Sequence, residues 1–265
     1  MLLEVENLSI SFRRYENKAQ QILLPVVRNL SFSLDYGQIM SVVGASGSGK
    51  TILLQAILGI LPQEAIVQGN IIFQGQTLTP KQQRQLCGKK IAYIPQSVQF
   101  LDPLMRIEHQ VCQGKRDTTN KKRQEQIFSF LGLPPATGRL FPHQISGGMA
   151  RKVLIACALM SNADLYLVDE PTPGLEESIV QDFLQTCRAI ADQGKSILLI
   201  SHDIGSILPF SDKVAFFYAG SILEIANQAD FTANGQNLRH PFSKALYQAL
   251  PQNNFTPIPG HAPYS

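Results

Sequence analysis

The sequence predicts an α/β fold on a largely parallel sheet, and three observations carry that prediction. Short apolar runs at 38–43, 165–168 and 196–201 have the length and composition of buried strands. Helical periodicity at 51–61 and 178–191 separates strand from strand, an alternation that places helices on both faces of a parallel sheet. Each of the three runs also leads into Gly, charge or His, and an open parallel sheet binds its ligands at the carboxyl ends of its strands.

Of 265 residues, 44% are hydrophobic and 16% charged, which permits a large core and excludes a chain too polar to fold. The net charge of +3 is modest. The clusters Lys89-Lys90, Lys115-Arg116 and Lys121-Lys122-Arg123 sit among Gln and Asn without interleaved aromatics. They read as solvated surface, not as a nucleic-acid face. Cys87, Cys112, Cys157 and Cys187 form no C-x-x-C pair, so thiols in a reducing compartment are expected, not metal ligands. The opening MLLEVENLSISF alternates like a strand and lacks the plan of a signal peptide. No stretch approaches the roughly 20 apolar residues of a membrane helix. Any service to a membrane is expected through partner subunits, from the cytoplasmic side.

In chain order, 2–12 and 30–34 read as strands with an irregular Lys- and Gln-containing excursion between them. The strand at 38–43 runs into a Gly-rich segment. Ile52, Leu53, Ala56, Ile57 and Ile60 then recur at helical spacing, with Pro62 as the stop. Strands follow at 70–73 and 91–94. From about 102 to 161 the pattern is helical, with loops at 132–135 and 142–148, which marks an insertion. The strand at 165–168, the helix at 178–191 and the strand at 196–201 precede a hairpin of 213–218 and 221–225 about Ala219-Gly220. From about residue 234, Pro, Asn and Gln mark a C-terminal appendage.

Gly44-Ala45-Ser46-Gly47-Ser48-Gly49-Lys50-Thr51 fits the phosphate-loop pattern G-x-x-x-x-G-K-[ST]. Several backbone N–H groups must turn inward on a phosphate, which excludes bulky side chains and demands positive φ. The following helix adds its N-terminal donors and dipole. Lys50 supplies a charge for the terminal phosphates, and Thr51 a hydroxyl for Mg²⁺. Nucleotide binding is the expectation.

Leu165-Tyr166-Leu167-Val168-Asp169-Glu170 is an apolar strand ending in two carboxylates. Asp169 is placed to hold Mg²⁺, and Glu170 to polarise an attacking water. The run at 197–200 leads to Ser201-His202-Asp203, which offers His202 to a γ-phosphate or a water.

Between these elements, Ile145-Ser146-Gly147-Gly148-Met149-Ala150-Arg151-Lys152 opens another helix. Ser146 caps it and the glycines expose backbone donors, making a second anion-binding helix start. Two such cradles in one chain, in this order of motifs, resemble the ABC transporter ATPase family, whose signature is LSGGQ. The likeness spans nearly the whole chain. It implies a P-loop NTPase (RecA-like) core with an N-terminal antiparallel β subdomain. A helical signature subdomain is inserted at about 97–160, so that 1–233 is the cassette and 234–265 an extension. It further implies a head-to-tail pair of cassettes, each ATP lying between one phosphate loop and the other chain's residues 146–149. By the same resemblance Gln96 is the Q-loop glutamine that senses Mg²⁺ and the membrane subunits. His202 is then the H-loop histidine and Glu170 the catalytic glutamate. Phe12 stands where an aromatic stacks on adenine, with Tyr15 a second candidate. The implied partners are a second ATPase subunit, two membrane permease subunits and an extracytoplasmic binding protein.

Three departures stand out. Ile145 replaces Leu, Glu176 takes the place of the D-loop Asp, and Arg151-Lys152 stand where Gln and Arg are usual. Leu58-Gly59-Ile60-Leu61-Pro62, the stretch from Gln96 to Leu101-Asp102-Pro103, His240-Pro241-Phe242-Ser243-Lys244-Ala245-Leu246 and Ile258-Pro259-Gly260 resemble the dipeptide, oligopeptide and nickel importer branch. Peptide-transport members often continue into a Cys-rich tail. The chain stops at Ser265 without one, which favours nickel or a metal chelate as the cargo, with di- or oligopeptides as the alternative.

Overall fold

The computed structural model describes residues 1–17, 20–114, 117–171, 176–251 and 253, with the side chains of 15–17, 20–21 and 233–234 left aside. It opens with a long antiparallel pair, β1 (Leu3–Asn17) and β2 (Gln20–Leu34), whose ladder runs out to Asn17 opposite Gln20. The irregular excursion read from the sequence is therefore strand on both sides of residues 18–19. Pro25 interrupts the strand pattern in sequence, but it lies on the edge of the sheet, where a missing N–H is tolerated.

Two of the four register shifts in this pair fall at Asn7 and Asn29. Asn7 and Asn29 take left-handed backbone, with φ of 49° and 43°, which Asn tolerates better than most residues. Their N–H groups are satisfied by hydroxyls across the ladder: Asn7 donates to Ser31 Oγ at 2.8 Å and Asn29 to Ser9 Oγ at 2.9 Å.

Next come β3 (Ile39–Val43) and α1 (Lys50–Leu58). The helix ends on Gly59, left-handed at φ 69°, so that glycine stops it before Pro62 is reached. β4 (Ala65–Phe73) begins earlier than its apolar core suggests, and β5 (Gln76–Thr77) closes it as a hairpin. A short α2 (Pro80–Leu86) starts on a Thr79–Gln82 capping box, and β6 (Ile91–Ile94) follows. Between β6 and the next strand the chain is helical, with α3 (Ile107–Val111), α4 (Thr118–Phe130) and α5 (Gly147–Met160) joined by 3₁₀ turns. This is the expected insertion.

The core then resumes with β7 (Leu165–Asp169), α6 (Glu177–Asp192), β8 (Ser196–Ser201) and α7 (Ile204–Ile207). β9 (Lys213–Tyr218) and β10 (Ser221–Asn227) turn about Ala219 and Gly220, both at positive φ as a two-residue hairpin requires. α8 (Thr232–Gly235) and α9 (Pro241–Gln248) complete the described chain. The appendage docks on the hairpin. Glu224 accepts the N–H groups of Arg239 at 2.7 Å and His240 at 2.9 Å, and the Phe242 ring lies 4.6 Å from Tyr218.

Two sheets result. One is antiparallel, in the order β2-β1-β4-β5; the other runs β10-β9-β3-β8-β7-β6 and is parallel apart from β10. Every residue of β3, β7 and β8 is buried, as expected for a sheet covered on both faces. On α6, Val180, Phe183, Leu184, Cys187 and Ile190 repeat at helical spacing and form its buried stripe.

Gly69 lies where β4 passes the Asn7 bulge. Its φ is +94°, and an added Cβ would sit 2.5 Å from the carbonyl oxygens of Asn7 and Glu6. Gly69→Ala is therefore expected to lower stability by about 1–3 kcal/mol, read as a fall in the denaturant midpoint at unchanged slope.

Candidate nucleotide site

Parallel pairing decides where the polar residues gather. Val43 pairs with Ser201, and Asp169 with Ile200, so β3, β8 and β7 end almost level. Gly44, His202 and Glu170 are the residues that leave those strands, and they share one edge of the sheet.

The loop after β3 is built around close backbone approach. A Cβ on Gly44 would lie 2.3 Å from the carbonyl oxygen of Phe217 on β9. One on Gly49, which has φ +105°, would lie 3.0 Å from Val26 Cγ1 and 3.1 Å from the Val26 carbonyl oxygen. Only glycine fits at either position. Ala45, Ser46 and Gly47 complete the turn, and Ser48 donates its N–H to the Ala45 carbonyl at 3.3 Å. The Ser48 hydroxyl is buried without a hydrogen-bond partner among the described residues. A cradle of glycines with an unsatisfied hydroxyl suits an anionic oxygen.

Lys50 begins α1 and is buried. Its ammonium donates to the carbonyls of Gly44 at 3.0 Å and Ala45 at 2.8 Å, and stands 3.4 Å from Glu170 Oε1. Burial pushes it below the usual lysine range, against the pull of the Glu170 carboxylate. Thr51 donates its hydroxyl to Asp169 Oδ1 at 3.2 Å, and Tyr93 donates to Asp169 Oδ2 at 3.0 Å. Burial raises the Asp169 carboxyl, opposed by the hydrogen bonds from Tyr93 and Thr51. The hydroxyl and carboxylate oxygens of Thr51 and Asp169 are hard donors, suited to a small divalent cation.

Glu170 is where the site converges. Its φ of 37° is left-handed, and its N–H donates to the Ile200 carbonyl at 3.0 Å. Besides Lys50 on Oε1, its Oε2 accepts from Gln96 Nε2 at 3.4 Å and lies 3.8 Å from His202 Nδ1. The four residues singled out from separate motifs thus meet at one carboxylate.

Phe12 lies on β1, half-buried, and packs with the cluster that also contains Val26 and Ile52. The Tyr15 side chain, residues 173–175 and the segment 258–260 lie outside the described residues. Glu176 stands immediately before α6 without a side-chain capping bond. At the other cradle, Ser146 caps α5 by accepting the Met149 N–H at 3.2 Å, with Gly147 and Gly148 in the first turn. Among the described residues no hydrogen bond or ion pair joins 146–149 to 44–51 of the same chain.

Sequence reasoning missed two contributors. Tyr93 reaches Asp169 because β6 lies beside β7, and Val26 meets Gly49 because β2 passes over the loop. Neither belongs to a motif, so strand order was needed to find them.

A phosphate loop, an Asp-Glu strand end and a helical insertion on this sheet define a P-loop ATPase. The chain matches the ABC transporter family model over residues 27–173 and belongs to that family. It hydrolyses ATP, and that hydrolysis is coupled to transport. It is 34% identical to an oligopeptide transport ATP-binding protein, OppD, of Bacillus subtilis, across 99% of this chain and 77% of that relative. To the dipeptide transport ATP-binding protein DppD of Bacillus subtilis it is 33% identical, across 99% of this chain and 82% of the other. Among solved structures, a dimeric ATP-binding cassette in a post-hydrolysis state, bound to ADP and Pi, is similar with a TM-score of 0.73. That match has 21% identity over 86% of this chain and 99% of the other, and supports the fold. Among the described residues no helix is long and apolar enough to cross a membrane.

A carboxyl raised by folding is penalised in its charged form. The penalty is absent below the ordinary aspartate range, where folded and unfolded chains are both protonated, and complete above the folded-state value. Asp169→Asn is therefore expected to raise the thermal midpoint at neutral pH, by a margin that shrinks as pH falls towards about 4. ATP hydrolysis is expected to fall in the same variant. Melting curves across that range, beside an ATPase assay, check both.

Proposed function

We propose that this chain is the ATP-hydrolysing subunit of an importer for dipeptides or oligopeptides. The mechanism rests on one observation, the convergence of Lys50, Gln96 and His202 on Glu170 beside a phosphate loop. The cargo rests on the two relatives, which match almost the whole chain and carry peptide transport in their names. They favour the peptide alternative over the nickel reading, whose support was the missing Cys-rich tail.

In this reading ATP is the substrate, with its adenine on Phe12 and its phosphates on the N–H groups of 44–49. Lys50 bonds a terminal phosphate oxygen. That oxygen competes with Glu170 for the same ammonium and frees the carboxylate to act as base. Thr51, Asp169 and Gln96 would hold Mg²⁺, which would supply neutralisation of phosphate charge. Glu170 accepts a proton from water as the water oxygen bonds to the γ-phosphorus and the bond to ADP breaks. His202 and Gln96 orient that water. Residues 146–149 of a second cassette complete the site, and this chain's own 146–149 serve the partner's ATP.

The cassette is 1–233 and the extension 234–265, bound to two permease subunits on the cytoplasmic face of the membrane, with an extracytoplasmic binding protein delivering cargo. Beyond Gln96, Phe100 is 70% exposed and Leu104 87%, and Leu104 lines an open groove of about 600 Å³ together with Met105, Gln110 and Phe141. So much uncovered apolar surface supports this as the place where a permease segment sits.

Glu170→Gln is expected to keep nucleotide affinity and lose about 10²–10⁴-fold in turnover, measured by single-turnover hydrolysis in the assembled transporter. Wild-type turnover would remove Glu170 from the role of base. In cells whose chain carries Lys50→Ala, uptake of a radiolabelled dipeptide is expected to fall to background while nickel uptake is unchanged. The opposite pattern would return the cargo to nickel.

A further inference from the structure

Arg151 stands where the resemblance leads one to expect Gln, and the structure gives it an unusual setting. It lies on α5, one turn after the Ser146 cap, and is only 4% exposed. Its Nη1 donates to the carbonyl of Pro95 at 2.9 Å, while its Nε has no partner among the described residues. Burial pushes the guanidinium below its usual range. A buried cation with so little compensation costs stability, and an apolar side chain of the same length would fill the place better. What the bond does is fix the residue that precedes Gln96.

We propose that Arg151 is a positioning residue, which pins the Pro95 carbonyl to α5 and so sets the reach of Gln96 to Glu170. The chain of contacts is short. Ser146 caps α5, Arg151 on that helix holds Pro95, and Gln96 is hydrogen-bonded to Glu170 at 3.4 Å. A shift of the cap is thereby passed to the catalytic carboxylate of the same chain. This second consequence rests on the two-cassette reading above, whereas the positioning of Gln96 does not. In that reading a partner's ATP, closing on Ser146, adjusts the base that acts on this chain's own ATP.

The test compares the full-length chain with Arg151→Met and Arg151→Lys. Methionine keeps much of the length and removes both charge and donor, while lysine keeps one donor for the single carbonyl. For Arg151→Met the expected outcome is a thermal midpoint equal to or above wild type and a KM for MgATP within about twofold. kcat is expected to fall by about tenfold or more, on the scale of losses from misplaced groups. Amide hydrogen exchange over 96–101 is expected to rise while the phosphate loop and β7 keep their protection. Arg151→Lys recovers part of the turnover and of the protection. Arg151→Met with wild-type turnover and wild-type exchange at 96–101 would overturn the proposal. So would a loss of turnover that follows a lowered thermal midpoint and is not recovered by lysine. A wild-type chain that fails to bind a fluorescent ATP analogue would instead refute the ATPase reading, a separate outcome.

Discussion

Everything at the site depends on the register of three parallel strands. β3, β8 and β7 end within a residue of one another, and each delivers its next residue to the same edge. A one-residue slip in any of them would turn its last side chain to the opposite face. The register is protected by burial. All residues of these strands are covered, so a slipped pairing would have to bury different side chains in a closely packed interior. β9 contributes a second restraint, since Gly44 leaves β3 directly against the Phe217 carbonyl.

The electrostatics follow from that placement. Lys50, Asp169 and Glu170 are drawn into a region where burial disfavours the charges on Lys50 and Asp169, and mutual contacts only partly offset the cost. Glu170 carries a further strain, because left-handed backbone in a non-glycine residue costs about 1–3 kcal/mol. The backbone bend brings its carboxylate within reach of Lys50, Gln96 and His202 together. A phosphate-rich substrate would exchange these internal contacts for stronger ones.

The helical insertion packs in one buried core with the strands that carry this centre. β6 leads directly to Pro95 and Gln96, and α5 returns beside it, with Arg151 spanning the gap. The cap at Ser146 and the carboxylate at Glu170 therefore sit at opposite ends of one short series of bonds. The exposed groove about Leu104 and Met105 begins only a few residues further along the chain.

Much of this was legible in the residues alone. The phosphate loop, the Asp169-Glu170 strand end, His202 and the Ser146 cap each combine a local backbone requirement with a local side chain, and local requirements are written in consecutive residues. The buried strands and the helical insertion were equally plain from periodicity. The continuous β1–β2 ladder was not, because Pro25 breaks the strand pattern and edge position, which excuses it, is a property of the sheet. Tyr93 on Asp169, Val26 on Gly49 and Arg151 on Pro95 were also out of reach. Each joins segments far apart in sequence, and strand order and helix packing decide such meetings. The sequence by itself determined which groups are present. Tertiary structure decided that they meet at Glu170, because only a parallel sheet in register brings the ends of distant strands to a common edge.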